Sequence, residues 1–383
     1  MRPRRYQLKK DAIAILGRGH PWIFRDQLST AAAVFHDGDW LRLVDGANKV
    51  VGHGIYEAAG AVAIRLLRRG PEPVTVAYLK HLLDVAVERR AALADRTTGM
   101  RLVHGESDAL PAVVIDRFGD TLVATSYSAG ADALTRFAAG YLARTLPSPP
   151  TSVLLRPAHR RRADGPGPRV LRGTDTQLAR FREDGIDYAV DLSPGGQKTG
   201  TYLDLRGLRQ VIASLPLAGA HVLNLFAFSG MLGRAAEAAG AAQVTQVDQS
   251  ERALAFAAAH HVGDAARHRF LVEDVFDWLP GTDGLYDLVI VDPPSMTSKM
   301  AQVPKVLAAY RKLYRAAARV TRPGGVVVAA CCTSRIERAT FNHTVAEALG
   351  TFKKTLELPP EPDHPVTFPE SDYLKISLWT KPG

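Results

Sequence analysis

The chain has 383 residues with 48 basic and 39 acidic side chains, a formal charge of +9, 46% hydrophobic and 23% charged. That length suggests roughly two to three domains, each able to bury its own core, and the composition excludes disorder, collagen and coiled coil. Its two cysteines, Cys331 and Cys332, are adjacent, which excludes a disulfide framework and a multi-cysteine metal site and points to a reducing, cytoplasmic setting with no metal.

The start, Met1-Arg2-Pro3-Arg4-Arg5, is basic, but Lys9, Lys10 and Asp11 stand where a signal peptide would need an unbroken apolar core, so it does not read as one. Short alternating strands over Trp40–Val44, Val50–Tyr56 and Val62–Leu67, with a turn at Asp45-Gly46, describe a small β module ended by Arg68-Arg69-Gly70-Pro71. A helix is expected over Val74–Leu93, strands over Ala112–Ile115 and Thr121–Thr125, and a second helix over Ala131–Thr145. The loop Pro147–Pro168, with His159-Arg160-Arg161-Arg162, reads as a solvated surface ahead of an RNA contact.

From about Asp184 apolar strands alternate with alanine-rich helices. The strands are Val222–Leu225, Gln243–Asp248, Phe270–Val272, Leu288–Asp292 and Gly325–Ala330, with helices such as Gly233–Ala239 and Glu251–His260 between them. β-branched runs joined by helices imply a parallel, doubly wound sheet covered on both faces. The expected division is 1–72, 73–183 and 184–383. No run of about 18 apolar residues occurs, so no membrane partner is expected; the positive charge makes a polyanion the natural one, although an arginine excess also serves solubility. A second copy of the chain stays open as a partner.

Such a sheet binds ligands beyond the carboxyl ends of its strands. The first ends in Phe226-Ala227-Phe228-Ser229-Gly230, the second in Asp248-Gln249-Ser250, a short third in Glu273-Asp274-Val275, the fourth in Asp292-Pro293-Pro294. A small-residue turn lets backbone approach a ligand, and an acid ending the second strand can accept both ribose hydroxyls. Phe226, Phe228 and Met231 stand where a dinucleotide fingerprint would place open backbone, so an adenosine ligand without pyrophosphate, such as S-adenosylmethionine, fits better; Asp274 and Val275 would meet its adenine edge. Gly195-Gly196-Gln197-Lys198-Thr199 lacks the spacing of a phosphate loop; with Tyr202 it forms a turn placed to lie over the methionine part of the cofactor.

Cys331 and Cys332 follow the fifth strand, and alternation sends their thiols to opposite sides, so one at most is catalytic; register alone decides which. A thiolate there suits methylation of a pyrimidine at C5: adding to C6 makes C5 an enamine carbon able to attack a methyl donor, and Asp292 is the candidate to hold protonated N3. The target base must leave any stack. Methylation of an exocyclic amine, which needs no cysteine, and a noncatalytic RNA-binding factor for ribosome assembly stay open.

At these residues the chain resembles a known family, the large-subunit (23S) ribosomal RNA cytosine-5 methyltransferases that carry an N-terminal PUA domain. His20-Pro21-Trp22-Ile23-Phe24, Gly38-Asp39 and Gly52-His53-Gly54-Ile55-Tyr56 resemble the PUA module; His104 to Pro111 and Val114 to Asp120 resemble the central α/β region. Ser193 to Arg206, Asn224 to Gly230, Asp292-Pro293-Pro294, Cys332-Thr333-Ser334, His364-Pro365 and Tyr373-Leu374-Lys375 resemble the methyltransferase domain, of class I Rossmann-like fold. The resemblance implies ribosomal RNA, free or within an assembly intermediate, as partner, S-adenosylmethionine as cofactor, Asn224 among the cofactor residues and Cys332 as nucleophile. Other RNA cytosine-5 enzymes carry a second cysteine before the fourth strand's proline; here Asp292 stands there, which leaves the base that removes the C5 proton unassigned.

Overall fold

A computed structural model describes residues 3–158, 169–193 and 201–383. The chain divides into two compact units, Met1–Leu203 with Pro362–Phe368, and Asp204–Glu361 with Pro369–Gly383.

The first unit begins with β1 (Arg4–Gln7), α1 (Lys10–Gly17), β2 (Trp22–Phe24), β3 (Trp40–Val44), β4 (Val50–Tyr56) and β5 (Val62–Arg69). They form one sheet in the order β1-β3-β4-β5-β2, with β1 parallel to β3 and the other pairs antiparallel. Strand β3 turns Leu41 and Leu43 into a core shared with Tyr6, Ile23 and Ile64. The turn after it is held by Asp45, whose carboxylate accepts from the Ala47 and Lys49 N–H groups, both at 2.9 Å.

The same unit continues with α2 (Val76–Glu88), β6 (Gly99–His104), β7 (Val113–Phe118), β8 (Thr121–Ser126), α3 (Asp132–Thr145), β9 (Ser152–Pro157) and β10 (Arg169–Arg172), the strands ordered β10-β9-β8-β7-β6. Helix α2 is shorter than the expected Val74–Leu93: the Thr75 hydroxyl caps its start, accepting from Tyr78 N–H at 3.1 Å, and a short 3-10 turn follows its end. Ile55 and Leu67 of the first sheet join the core built by α2, α3 and the second sheet. A hairpin of β11 (Leu178–Glu183) and β12 (Ile186–Asp191) follows; Asp184 and Gly185, where the composition changes, form its turn with positive φ.

The second unit runs α4 (Arg206–Ser214), β13 (His221–Leu225), α5 (Met231–Ala238), β14 (Gln243–Asp248), α6 (Glu251–His260), β15 (His268–Val272), α7 (Val275–Trp278), β16 (Tyr286–Val291), α8 (Val303–Val320), β17 (Thr321–Cys331), α9 (Arg338–Leu349), β18 (Lys353–Leu358) and β19 (Lys375–Thr380). Its sheet has the order β15-β14-β13-β16-β17-β19-β18. Five strands are parallel as expected; β19 and β18 are antiparallel additions, so the sheet is mixed. The chain leaves β13 in one direction for β14 and β15, then returns to the other side for β16 and β17. The crevice beyond that reversal is where such sheets bind ligands.

Candidate active site

Strand register brings the four strand ends to one level. Leu225 pairs with both Val247 and Val291, Val291 with Ala329, and Asp248 with Val272. One step on, Phe226, Asp248, Asp292 and Ala330 therefore share a rung at the carboxyl edge, with Cys331 and Cys332 just beyond it.

The loop after β13 is unusually shaped. Phe226 (φ 57°), Phe228 (φ 47°) and Gly230 (φ 74°) all take left-handed backbone conformations. For side chains with a Cβ this costs roughly 1–3 kcal/mol each, and such outliers cluster at ligand sites. The loop is held by its neighbour: Phe228 N–H donates to Asp248 Oδ2 at 2.8 Å, Ser250 N–H to Asp248 Oδ1 at 2.8 Å, and Ala227 N–H to the Val247 carbonyl at 3.0 Å. Asp248 thus shapes the first loop as well as ending the second strand. Ser229 is buried, its carbonyl bonded to the His261 ring, and Gln249 is exposed.

Asn224 is buried one step below, its amide donating to Gln246 Oε1 at 3.2 Å, so it packs under the loop. Asp274 is exposed and caps α7, accepting from Phe276 N–H at 2.8 Å. The Val275 side chain lies in the core. Phe276, which belongs to no motif singled out in the sequence, is 38% exposed and meets the Phe226 ring edge-on at 5.6 Å between centroids. Its only signal in the sequence is an apolar side chain among Glu273, Asp274 and Asp277.

The two cysteines part company. Cys331 is fully buried among Tyr310, Tyr314 and Phe341, on the side of the sheet covered by α8 and α9. Burial, with Cys331 and Asp292 nearby, holds the Tyr314 phenol neutral far above its usual range; its hydroxyl donates to the Ala330 carbonyl at 3.2 Å. Cys332 is partly exposed, and its Sγ lies 3.8 Å from the Pro293 carbonyl, beside half-buried Asp292. Lys375, opposite Cys331 on β19, is 1% exposed and donates to the Thr333 and Tyr373 carbonyls, both at 2.8 Å. Gln197, Lys198 and Thr199 lie outside the described residues, and Tyr202 is a partly buried residue of the first unit.

A family model described as S-adenosylmethionine-dependent methyltransferase matches residues 149–374, and one described as a PUA-like domain matches 7–69. The chain belongs to the S-adenosylmethionine-dependent methyltransferase family. This methyltransferase is 32% identical to a ribosomal RNA large subunit methyltransferase of Deinococcus radiodurans, over 97% of this chain and 96% of the relative. It is 30% identical to ribosomal RNA large subunit methyltransferase I of Klebsiella pneumoniae, with the same coverage of both chains. Among solved structures it is similar to a Streptococcus mutans protein described as an S-adenosylmethionine-dependent methyltransferase, with TM-score 0.84, 23% identity and coverage of 98% and 100%. A methyltransferase solved with S-adenosylhomocysteine gives TM-score 0.83 at 24% identity, with coverage of 98% and 100%. Both carry the fold.

The residues of the methyltransferase fit its cofactor. An adenosine would need an apolar surface for its ring and an acceptor for its ribose; Phe276 and Val272 are exposed at the third strand end, and the Asp248 carboxylate lies partly buried at the second. Among the described residues no group of three His, Cys, Asp or Glu side chains is placed to hold a metal, and no helix is long and apolar enough to cross a membrane.

Proposed function

We propose that this methyltransferase modifies C5 of a cytosine in large-subunit (23S) ribosomal RNA, with Cys332 as nucleophile. The curated relatives, named for large-subunit ribosomal RNA, support the substrate class. The carrying observation for the chemistry is the thiol pair: Cys331 is sealed in the core, whereas Cys332 lies partly exposed at the sheet's carboxyl edge beside the Asp292-Pro293-Pro294 turn.

In this reading Asp248, Asp274, Phe226 and Phe276 hold the adenosine, with Ala227, Ser229, Gly230, Gln249 and the Val275 backbone around it. Bound there, S-adenosylmethionine supplies an electrophilic methyl group. The Cys332 thiolate adds to C6 of the cytosine, forming a C–S bond and placing electron density on C5. Asp292 keeps N3 protonated and hydrogen-bonded while the adduct lasts. Once C5 carries the methyl group, loss of its proton to a base expels the thiolate. The module over 1–72 serves RNA contact, 73–183 is a central α/β region, and 184–383 serves methyl transfer, in the cytoplasm.

Incubation with labelled S-adenosylmethionine and unmethylated large-subunit RNA, followed by nucleoside analysis, tests the reading. Labelled 5-methylcytidine is expected, and label in any other nucleoside sinks the thiolate mechanism. Cys332→Ala is expected to abolish turnover with cofactor affinity intact, whereas Cys331→Ala keeps turnover. Asp292→Ala is expected to lower kcat by about 10²–10⁴, the span of a lost acid–base group.

A further inference from the structure

Outside the methyl-transfer crevice, the first unit holds a cavity of about 460 Å³ where β5 meets α2 and the segment ending in Phe368. Leu66, Leu82, Tyr78 and Phe368 line it, together with Arg68 and Arg89; Arg69 is also there, its guanidinium donating to the Leu16 and His20 carbonyls. The volume falls in the range of small-molecule sites, roughly 300–1,000 Å³.

The charge around this cavity is positive in effect. Two acids line it, Glu106 and Asp108, but both are consumed within the fold. Glu106 accepts from Trp22 Nε1 at 2.7 Å and pairs with Arg65 at 2.5 Å. Asp108 is buried, bonded to both terminal nitrogens of buried Arg90 and to the His104 N–H. Arg89 adds a 3.2 Å contact to Asp108 yet keeps its side chain 52% exposed. Arg68 lies over the Tyr78 ring at 4.3 Å, so cation and aromatic face form one ledge. Phe368 continues into a partly exposed aromatic group, meeting Trp22 edge-on at 5.1 Å and His20 at 5.9 Å.

Guanidinium groups beside partly buried aromatic rings, with Leu66 and Leu82 lining the same cavity, suit a ligand that is both flat and anionic. We propose that this cavity binds one unstacked nucleotide of the RNA substrate, its base against Tyr78 and Phe368 and its phosphate at Arg68 and Arg89. Sequence-tolerant stacking on aromatic side chains with arginine at the backbone is the physical basis of single-stranded RNA capture. The inference rests on RNA being the substrate. It adds an anchoring site away from the methylated base.

The test uses the full chain and a single-stranded RNA carrying 4-thiouridine, irradiated and mapped by mass spectrometry, together with KM for RNA. Crosslinks at the peptides holding Tyr78 and Phe368 are expected. Tyr78→Leu is expected to raise KM for RNA about tenfold, the scale of one stacked base, with kcat and cofactor affinity unchanged. Tyr78→Phe keeps the ring and restores the wild-type value, which a mere folding defect in the leucine variant would not predict. Arg68→Gln with Arg89→Gln is expected to flatten the salt dependence of binding. Normal methylation of RNA with unchanged KM in Tyr78→Leu and crosslinks confined to the second unit would overturn the cavity assignment alone. Failure of the wild-type protein to bind or methylate any RNA would overturn the functional reading and the cavity with it.

Discussion

A lysine with almost no solvent is an uncommon group, and Lys375 sits where it bears on the strand end that carries Cys332. Its ammonium bonds the carbonyl of Thr333, the residue after Cys332, and so fixes the strand end that presents the thiol. Burial lowers its pKa, and the cysteines beside it act in the opposite sense, so ammonium and thiolate favour one another. Lys375→Met, which keeps the stem and removes the charge, is expected to move the pH profile of Cys332 alkylation upward. An unmoved profile would leave the lysine a structural role only. His104 offers a second residue-scale expectation. Burial, with Arg101, His364 and Arg90 facing it against only Asp363, lowers its pKa from 6.5 to about 2. A depressed folded value means that its stabilising effect is complete above pH 6.5 and is lost as pH falls toward 2. Between pH 6.5 and 5 the wild type is expected to lose up to about 2 kcal/mol more than His104→Gln, read from denaturant midpoints.

The loop after β13 shows how an element can be shaped by what it touches. A Cβ on Gly230 would stand 2.8 Å from both Ala257 Cβ and Gln246 Oε1, at a φ of 74°. Gly230→Ala is therefore expected to lower stability by about 2 kcal/mol or more and to weaken cofactor binding, measured by thermal midpoint and by titration. The glycine was legible in the sequence; the left-handed Phe226 and Phe228 were not, because bulky residues rarely take that conformation and only the Asp248 carboxylate and its neighbours hold them there. Strands β13, β14 and β16 were legible because parallel strands covered on both faces are continuous apolar runs. Strand β18 was missed because Lys353–Leu358 lies at the sheet edge, mostly exposed and charged, and β19 opens on the buried Lys375. From the strand pattern alone the thiols are interchangeable, since a one-residue slip exchanges them; the pairing of β17 with β16 and β19, Ala329 against Val291 and Cys331 against Lys375, fixes which one is buried.

At the scale of the molecule, the charge of +9 becomes a distribution. Some arginines of the first unit are tied up: Arg25 bonds the Glu57 and Gly60 carbonyls, and Arg65 pairs with Glu57 and Glu106. Others gather along the β1 edge, where Arg4, Arg5, Lys9 and Lys10 line a broad open groove with the exposed Val34. Of these, Arg4 is partly neutralised by Asp39 at 2.6 Å. Cations spread over a surface act on RNA through its phosphates, displacing condensed counterions, so affinity falls with salt by roughly 0.7 log units per log unit for each phosphate held on a single strand. Raising salt from about 50 to 200 mM is then expected to raise KM for RNA at least several-fold while leaving cofactor affinity nearly constant, because the proposed cofactor contacts are stacking and short hydrogen bonds. Lys9→Glu with Lys10→Glu should reduce that salt slope and weaken every RNA alike, without changing which nucleoside is methylated. A KM for RNA indifferent to salt would mean that the positive charge serves solubility rather than the substrate, and that recognition rests on contacts that release no counterions.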